Sequence, residues 1–239
     1  MLRPDDDARP QGLRPFINCR GTYTAMSGSL TLPEVKAAMD AAGLQYVDIA
    51  ELQEAVGSRI GTLMGTEYGV VTNGCASALA HITAGCIAGT DPEKQARLPY
   101  TDGMANEVII QKCHRFGYDY AIKAMGGVFI EVETLAEMKA ALSDKTVMMV
   151  FLGDALDNHP GETQVSVGEM AALAKEHGVT MMVDAAAERP DIPNEYLDAG
   201  VDVVCYSVRR QPRFRHSAFV GFGFGFSFFD EESFRLSPC

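Results

Sequence analysis

Along the chain, stretches with apolar residues at helical spacing give way to short, nearly continuous apolar runs. Residues Pro33 to Gly43 read as a helix with proline in its first turn and glycine at its end. Asp48 to Met64 read as a second, with Ile49, Leu52, Val56, Ile60 and Leu63 along one face. Strands and helices then alternate: strand Tyr68 to Thr72, helix Ala76 to Ala88, strands Glu107 to Gln111 and Gly127 to Val132, helix Leu135 to Leu142, strand Thr146 to Leu152, helix Val167 to His177, and strands Val179 to Asp184 and Val201 to Tyr206. Strands covered on both faces lose the apolar–polar alternation and become continuous apolar runs. The pattern therefore predicts an α/β three-layer sandwich, a mostly parallel sheet with helices on both sides.

Ligands of such sheets bind beyond the carboxyl ends of the strands. Small and polar residues collect at those ends: Thr72-Asn73-Gly74, Gln111-Lys112-Cys113-His114, Gly153-Asp154 and Asp184-Ala185-Ala186. After Ser207 the character changes. Val208 to His216 is basic, Gly221 to Phe229 is a Phe/Gly run, and the last 32 residues hold five arginines and no lysine. The expected division is a polar leader over 1–15, one large domain over 16–207, and an aberrant, poorly ordered tail over 208–239.

The composition narrows the function classes. With 239 residues, 47% of them apolar, the chain can bury a full core. No apolar run reaches the ~18 residues of a membrane helix, and the acidic start lacks the apolar core of a signal peptide, so a soluble cytoplasmic protein is expected. A net charge of −12 disfavours nucleic acid as a main partner, because neutralising phosphates supplies most of that affinity. The six cysteines show no CxxC pair and read as reduced thiols.

Three segments carry candidate chemistry. In Thr72-Asn73-Gly74-Cys75-Ala76-Ser77 a strand turns into an Ala-rich helix, whose start offers free N–H groups to a phosphate, with side chains of Thr72, Asn73 and Ser77 beside them; an ordinary capped helix has the same pattern. In Met182-Val183-Asp184 an apolar strand delivers a carboxylate suited to a protonated ring nitrogen, or alternatively to a helix cap or a metal. After the strand ending at Gln111, His114 is placed to lie over a flat ring or move a proton and Arg115 to hold an anion, although a histidine after a strand is often incidental. A phosphate cup, a ring-stacking group and an acid for a ring nitrogen at successive strand ends are together the requirements of one cofactor. Asp154, Asp157 and His159 fit a loop better than a metal site, so no metal is expected. Glu188-Arg189-Pro190 either orders the Asp184 loop or is solvated.

The ordered motifs Asn18-Cys19-Arg20-Gly21-Thr22-Tyr23-Thr24, Gly28-Ser29, Glu51-Leu52-Gln53, Val71 to Leu79, Leu98-Pro99, Gly103 to Val108, His114-Arg115 with Tyr118-Asp119, and Val183 to Glu188 resemble a group of fold-type I pyridoxal-phosphate enzymes. That group contains bacterial selenocysteine synthase and D-glucosaminate-6-phosphate ammonia lyase, and the resemblance spans Phe16 to Ser207. It implies an aspartate-aminotransferase-like large domain, pyridoxal 5'-phosphate as cofactor and a homodimer or higher homo-oligomer. Thr72, Asn73, Gly74, Cys75 and Ser77 would cup the phosphate, His114 would stack on the ring, Asp184 would hold its nitrogen, and Arg20 or Arg115 would meet an acidic substrate. Gly103-Met104-Ala105-Asn106-Glu107-Val108 and His114-Arg115 look more like the ammonia-lyase branch, which implies elimination on an amino acid or amino sugar acid.

One part of the family pattern is missing. The lysine that binds the cofactor covalently and moves the proton is expected near Arg209-Arg210-Gln211, yet no lysine follows Lys175. Arginine does not replace it, being permanently protonated. The family's carboxyl-terminal small domain is also not recognisable; an altered reading frame near Val208 would account for the abrupt change of composition and the early end, recovering the glycines of the family's turn but not its lysine. The expected activity is accordingly impaired. A non-catalytic fragment that binds the cofactor or a phosphometabolite, or dimerises, is the competing expectation, and tRNA-dependent selenium transfer a third, disfavoured by the acidic balance.

Overall fold

The structure, a computed structural model, describes residues 16–19, 30–153, 164–188, 190–207 and 218–222. Helix α1 (Pro33–Ala42) starts on its proline. Helix α2 (Ile49–Met64) starts at Asp48, whose carboxylate accepts the N–H groups of Ala50 at 2.8 Å and Glu51 at 3.1 Å, and ends at Gly65, in the left-handed region at φ 69°. Strand β1 (Tyr68–Thr72) leads into α3 (Cys75–Ala88), followed by α4 (Pro92–Arg97) and β2 (Glu107–Gln111). A single 3-10 turn (Lys112–His114) and α5 (Tyr120–Ala124) precede β3 (Val128–Val132) and α6 (Leu135–Ala141). Strand β4 (Thr146–Leu152), α7 (Val167–His177), β5 (Thr180–Asp184), α8 (Glu195–Asp198), β6 (Val203–Ser207) and β7 (Ala218–Phe222) complete the order. Helix α7 opens on a reciprocal cap between Ser166 and Glu169.

The strands form one seven-stranded sheet in the order β1-β7-β6-β5-β4-β2-β3. The pairs β2–β3, β2–β4, β4–β5 and β5–β6 are parallel, while β7 runs antiparallel to both β1 and β6. This is the expected three-layer architecture with one departure. Strand β7 lies within the stretch set apart after Ser207, so the sheet extends past that boundary; its short apolar run, Ala-Phe-Val-Gly-Phe, sits between the basic stretch and the Phe/Gly run and was not read as a strand. Its register matters for the site, because Ala218 stands opposite both Thr72 of β1 and Ser207 of β6. The carboxyl ends of β1 and β6 are thereby held level at one edge.

Side chains alternate through the sheet into two cores. Ile109, Met149, Phe151, Met181, Val183, Val204 and Tyr206 face the side covered by α6 and α7. Val108, Ile110, Met148, Val150, Met182, Val203 and Cys205 face the side covered by α3 and α5. The period of two then points Asp184, two residues after Met182, toward the α3 side at the end of β5.

Candidate functional site

The turn from β1 into α3 is built on Gly74. It holds φ 95° and ψ 161°, conformations open to glycine, and its N–H donates to Thr72 O at 2.9 Å while the Thr72 hydroxyl donates to Gly74 O at 3.0 Å. The Gly74 carbonyl also accepts the N–H groups of Ser77 at 3.0 Å and Ala78 at 3.2 Å. No acceptor among the described residues takes the N–H of Cys75 or Ala76, so the first turn of this 14-residue helix presents two donors and the positive end of its dipole. Thr72, Cys75 and Ser77 are half-buried around it, and Asn73 is exposed.

Asp184 closes β5 and is buried to 3% exposure. Its Oδ1 accepts the Ala186 N–H at 2.9 Å and lies 3.5 Å from the Cys75 sulfur. This contact joins two segments that the sequence separates by 109 positions, and it places the candidate carboxylate against the candidate cup. Cys205 of β6, opposite Asp184 in the parallel register, reaches the same sulfur. A hydrogen bond with Cys205, then burial, then the charge of Asp184 push the Cys75 thiol well above its usual range, so it stays protonated. The partnership of Cys205 was not legible before the β5–β6 register was known.

The loop after Asp184 is tied down by polar contacts. The Tyr196 hydroxyl lies 2.7 Å from both carboxylate oxygens of Glu188, and the Asn194 amide donates to the Tyr206 hydroxyl. Glu188 therefore orders the Asp184 loop, which decides between its two earlier readings; Arg189 lies outside the described residues.

His114 is fully buried, with its ring edge-to-face against Phe151 at a centroid distance of 4.3 Å. Its Nδ1 accepts the Leu152 N–H at 3.5 Å, and Nε2 lies 2.7 Å from the side-chain amide of Gln164. Leu152 is the register partner of Asp184, so His114 stands one strand away from the carboxylate, packed on the Phe151 side of the sheet. In this arrangement it anchors the end of β4.

Arg115 is committed within the protein. Its Nε donates to Asp119 at 2.5 Å, a second guanidinium nitrogen pairs with Glu131, and the group lies over the Phe129 ring at 4.4 Å. Two carboxylates pair with the cation in this arrangement. Asp119, at i+4, was the visible sign of this. Arg20, and the Arg209–Gln211 stretch where the lysine is expected, lie outside the described residues, as do Asp154, Asp157 and His159. Among the described residues no cluster has the makings of a metal site, the five cysteines form no disulfide, and no helix is long and apolar enough to cross a membrane. An open cavity of about 770 Å³ lies at the opposite edge, where Gly65, Gly178 and Gly200 lead into the amino ends of the strands, and it includes none of the groups above.

The aminotransferase class-V family model matches residues 39–210. The chain belongs to that family. Class-V proteins are fold-type I enzymes that use pyridoxal phosphate. The chain is similar to a 5'-C-glycyluridine monooxygenase-decarboxylase from a Streptomyces species, 30% identical over 206 residues that make up 82% of this chain and 51% of the relative. It is similar at 29% to the D-glucosaminate-6-phosphate ammonia lyase of Salmonella typhimurium (strain 14028s / SGSC 2262), over 82% of this chain and 54% of that one. A solved structure of D-glucosaminate-6-phosphate ammonia-lyase superposes with a TM-score of 0.81 at 27% identity, covering 89% of this chain and 59% of that one. The chain thus spans about half the length of the curated relatives it matches.

For a class-V cofactor the local chemistry fits in two places. The open donors of α3 suit a phosphate, and a buried carboxylate beside them suits a protonated ring nitrogen. The covalent anchor finds no match in sequence: the Arg209-Arg210-Gln211 stretch, where the resemblance expects a lysine, holds none.

Proposed function

We propose that this chain is the cofactor-binding portion of a pyridoxal-phosphate lyase of the ammonia-lyase type, acting by elimination on an amino acid or amino sugar acid, and that it holds its cofactor without a covalent bond. The observation carrying this reading is the 3.5 Å contact between Cys75 and Asp184, which sets a carboxylate beside the open donors of α3. When bound, the cofactor supplies an electron sink for a carbanion next to the substrate nitrogen. The residues of this chain bind and orient it: the N–H groups of Cys75 and Ala76 with Ser77 at the phosphate, Asp184 at the ring nitrogen, and the Glu188–Tyr196 and Asn194–Tyr206 contacts keeping the Asp184 loop in place. With no lysine at Arg209-Arg210-Gln211, where the resemblance places the proton-moving group, this reading expects impaired elimination.

The two curated relatives differ by one percentage point in identity and are named for different reactions, so elimination rests on the lyase structural match and the lyase-like motifs. A second reading, a non-catalytic protein that binds the cofactor or a phosphometabolite, is favoured by the missing lysine. Association into a homodimer in the cytoplasm belongs to the same proposal, supported by exposed Leu44, Tyr46, Val47 and Ile49 between and at the start of the first two helices.

The deciding experiment is an absorbance titration of the purified chain with pyridoxal phosphate, then borohydride reduction and mass mapping. A protein-shifted cofactor band with nothing trapped is expected. No spectral change would remove the cofactor reading, and a trapped adduct would locate a lysine that does what this proposal denies.

A further inference from the structure

Cys75 stands at the first helical position of α3, where its N–H faces the candidate phosphate position while its side chain turns under the helix toward the sheet. Two partners meet the sulfur, the Asp184 carboxylate and the Cys205 thiol. A thiol has one hydrogen to give, and a carboxylate is a far better acceptor than a sulfur. The Cys75 hydrogen therefore goes to Asp184, the better acceptor of the two. Two donors from different elements, the Cys75 thiol and the Ala186 N–H, act on Asp184 Oδ1. One follows the carboxylate in its own loop; the other comes from the helix that would hold the phosphate.

We infer that Cys75 is a positioning residue for Asp184, its S–H donated to Oδ1 so that the carboxylate is fixed in orientation relative to the phosphate cup. A single residue then belongs to both ends of the cofactor site, by its backbone at one and its side chain at the other, and sets the spacing between them. The inference rests on the cofactor reading above. A serine at 75 preserves the donor; an alanine removes it.

The test begins without cofactor. The S–H stretching band of Cys75, isolated by infrared difference against Cys75→Ser, is expected at the lowered frequency of a bonded thiol and is expected to move up in Asp184→Asn. A band indifferent to Asp184→Asn overturns the inference. Titration with pyridoxal phosphate follows: Cys75→Ala is expected to weaken binding on the order of fivefold, with Cys75→Ser restoring it and with binding of a phosphorylated analogue lacking the ring nitrogen unchanged across the three proteins. Equal cofactor binding by the alanine variant and the parent overturns the positioning role. If the parent binds no cofactor at all, the proposed function fails on its own, while the infrared band still decides the Cys75–Asp184 bond.

Discussion

The side chain of Gln111 grips the backbone of Val165 from both sides: Oε1 accepts the Val165 N–H at 2.7 Å, and Nε2 donates to the Val165 carbonyl at 3.0 Å. Both residues are buried, so the amide acts as one more rung of sheet, joining the end of β2 to the segment that enters α7. Gln111→Leu keeps the volume and leaves a buried N–H and a buried C=O without partners. The expected loss is about 2–4 kcal/mol of unfolding free energy, at about 1–3 kcal/mol per orphaned group. Urea denaturation checks it, and a loss below 0.5 kcal/mol on that scale would show that water replaces the amide.

Close approach without side chains governs how α2 meets β1. A Cβ at Gly57 would come within 2.2 Å of the Tyr68 ring and 2.6 Å of the Gly69 carbonyl. The ring can swing, at the expense of its hydroxyl bonds to Gln53 O and Glu54, both at 3.1 Å, but the carbonyl belongs to a strand. Gly57→Ala is expected to push α2 off β1 and lower stability by roughly 1–3 kcal/mol, the usual range for overpacking. Hydrogen exchange should show α2 losing protection before the β4–β5 pair does.

The parts of this fold written in local pattern were legible, and those written in pairing were not. Apolar runs at Glu107–Gln111 and Thr146–Leu152 mark strands because both faces are covered, and Ser166 with Glu169 marks the start of α7. Strand β7 escaped because its Ala-Phe-Val-Gly-Phe merges into the Phe/Gly run that follows, until it is seen between β1 and β6. The strand expected from Val201 begins at Val203, since the Asp202 carboxylate turns to accept the Met181 N–H at 2.8 Å. In the site, Thr72 to Ser77 and Asp184 were visible as strand ends. Cys205, Gln111 and Gln164 were not, because each acquires its partner only through neighbouring strands or a segment about 50 residues away. For Arg115, Asp119 is visible one helical turn on, but Glu131 arrives from β3.

Two buried tyrosines make the protein sensitive to alkali. Burial first, with the charges of Glu188, Glu195 and Asp191 adding and the Asn194 hydrogen bond opposing, raises Tyr206 to about 12. Tyr196 is raised further, by burial and then by its bond to Glu188. The unfolded chain releases these protons near the ordinary tyrosine value of about 10, so above that pH the folded state binds more protons than the unfolded one and stability falls with rising pH. The contribution of Tyr206 is thus complete below about pH 10 and is lost as the pH climbs to about 12. Phenolate absorbance should show these two tyrosines ionising only together with loss of helical circular dichroism, and Tyr206→Phe should flatten the stability slope over that window. Independent ionisation of Tyr206 near pH 10 in a still-folded chain would contradict the burial argument.

The start of α3 makes a separate prediction about which half of the cofactor it holds. His81 Nδ1 lies 2.7 Å from the Ser77 carbonyl and 3.4 Å from the Ser77 hydroxyl. A carbonyl only accepts, so Nδ1 carries the proton, and the hydroxyl can take from that N–H but has nothing there to give to. Its own hydrogen is left to point elsewhere, beside the N–H groups of Cys75 and Ala76. In the proposed site these three donors would serve the phosphate, and Asp184 the opposite end of the ring. Ser77→Ala should therefore weaken pyridoxal phosphate on the order of fivefold and leave unphosphorylated pyridoxal unaffected, whereas Asp184→Asn should weaken both. Inorganic phosphate should compete with the cofactor in the parent and less well in Ser77→Ala. Because the two groups act on different ends of the ligand, the two losses should add in the double variant, apart from any coupling carried by Cys75. Equal losses of pyridoxal and its phosphate in Ser77→Ala would mean that α3 does not receive the phosphate.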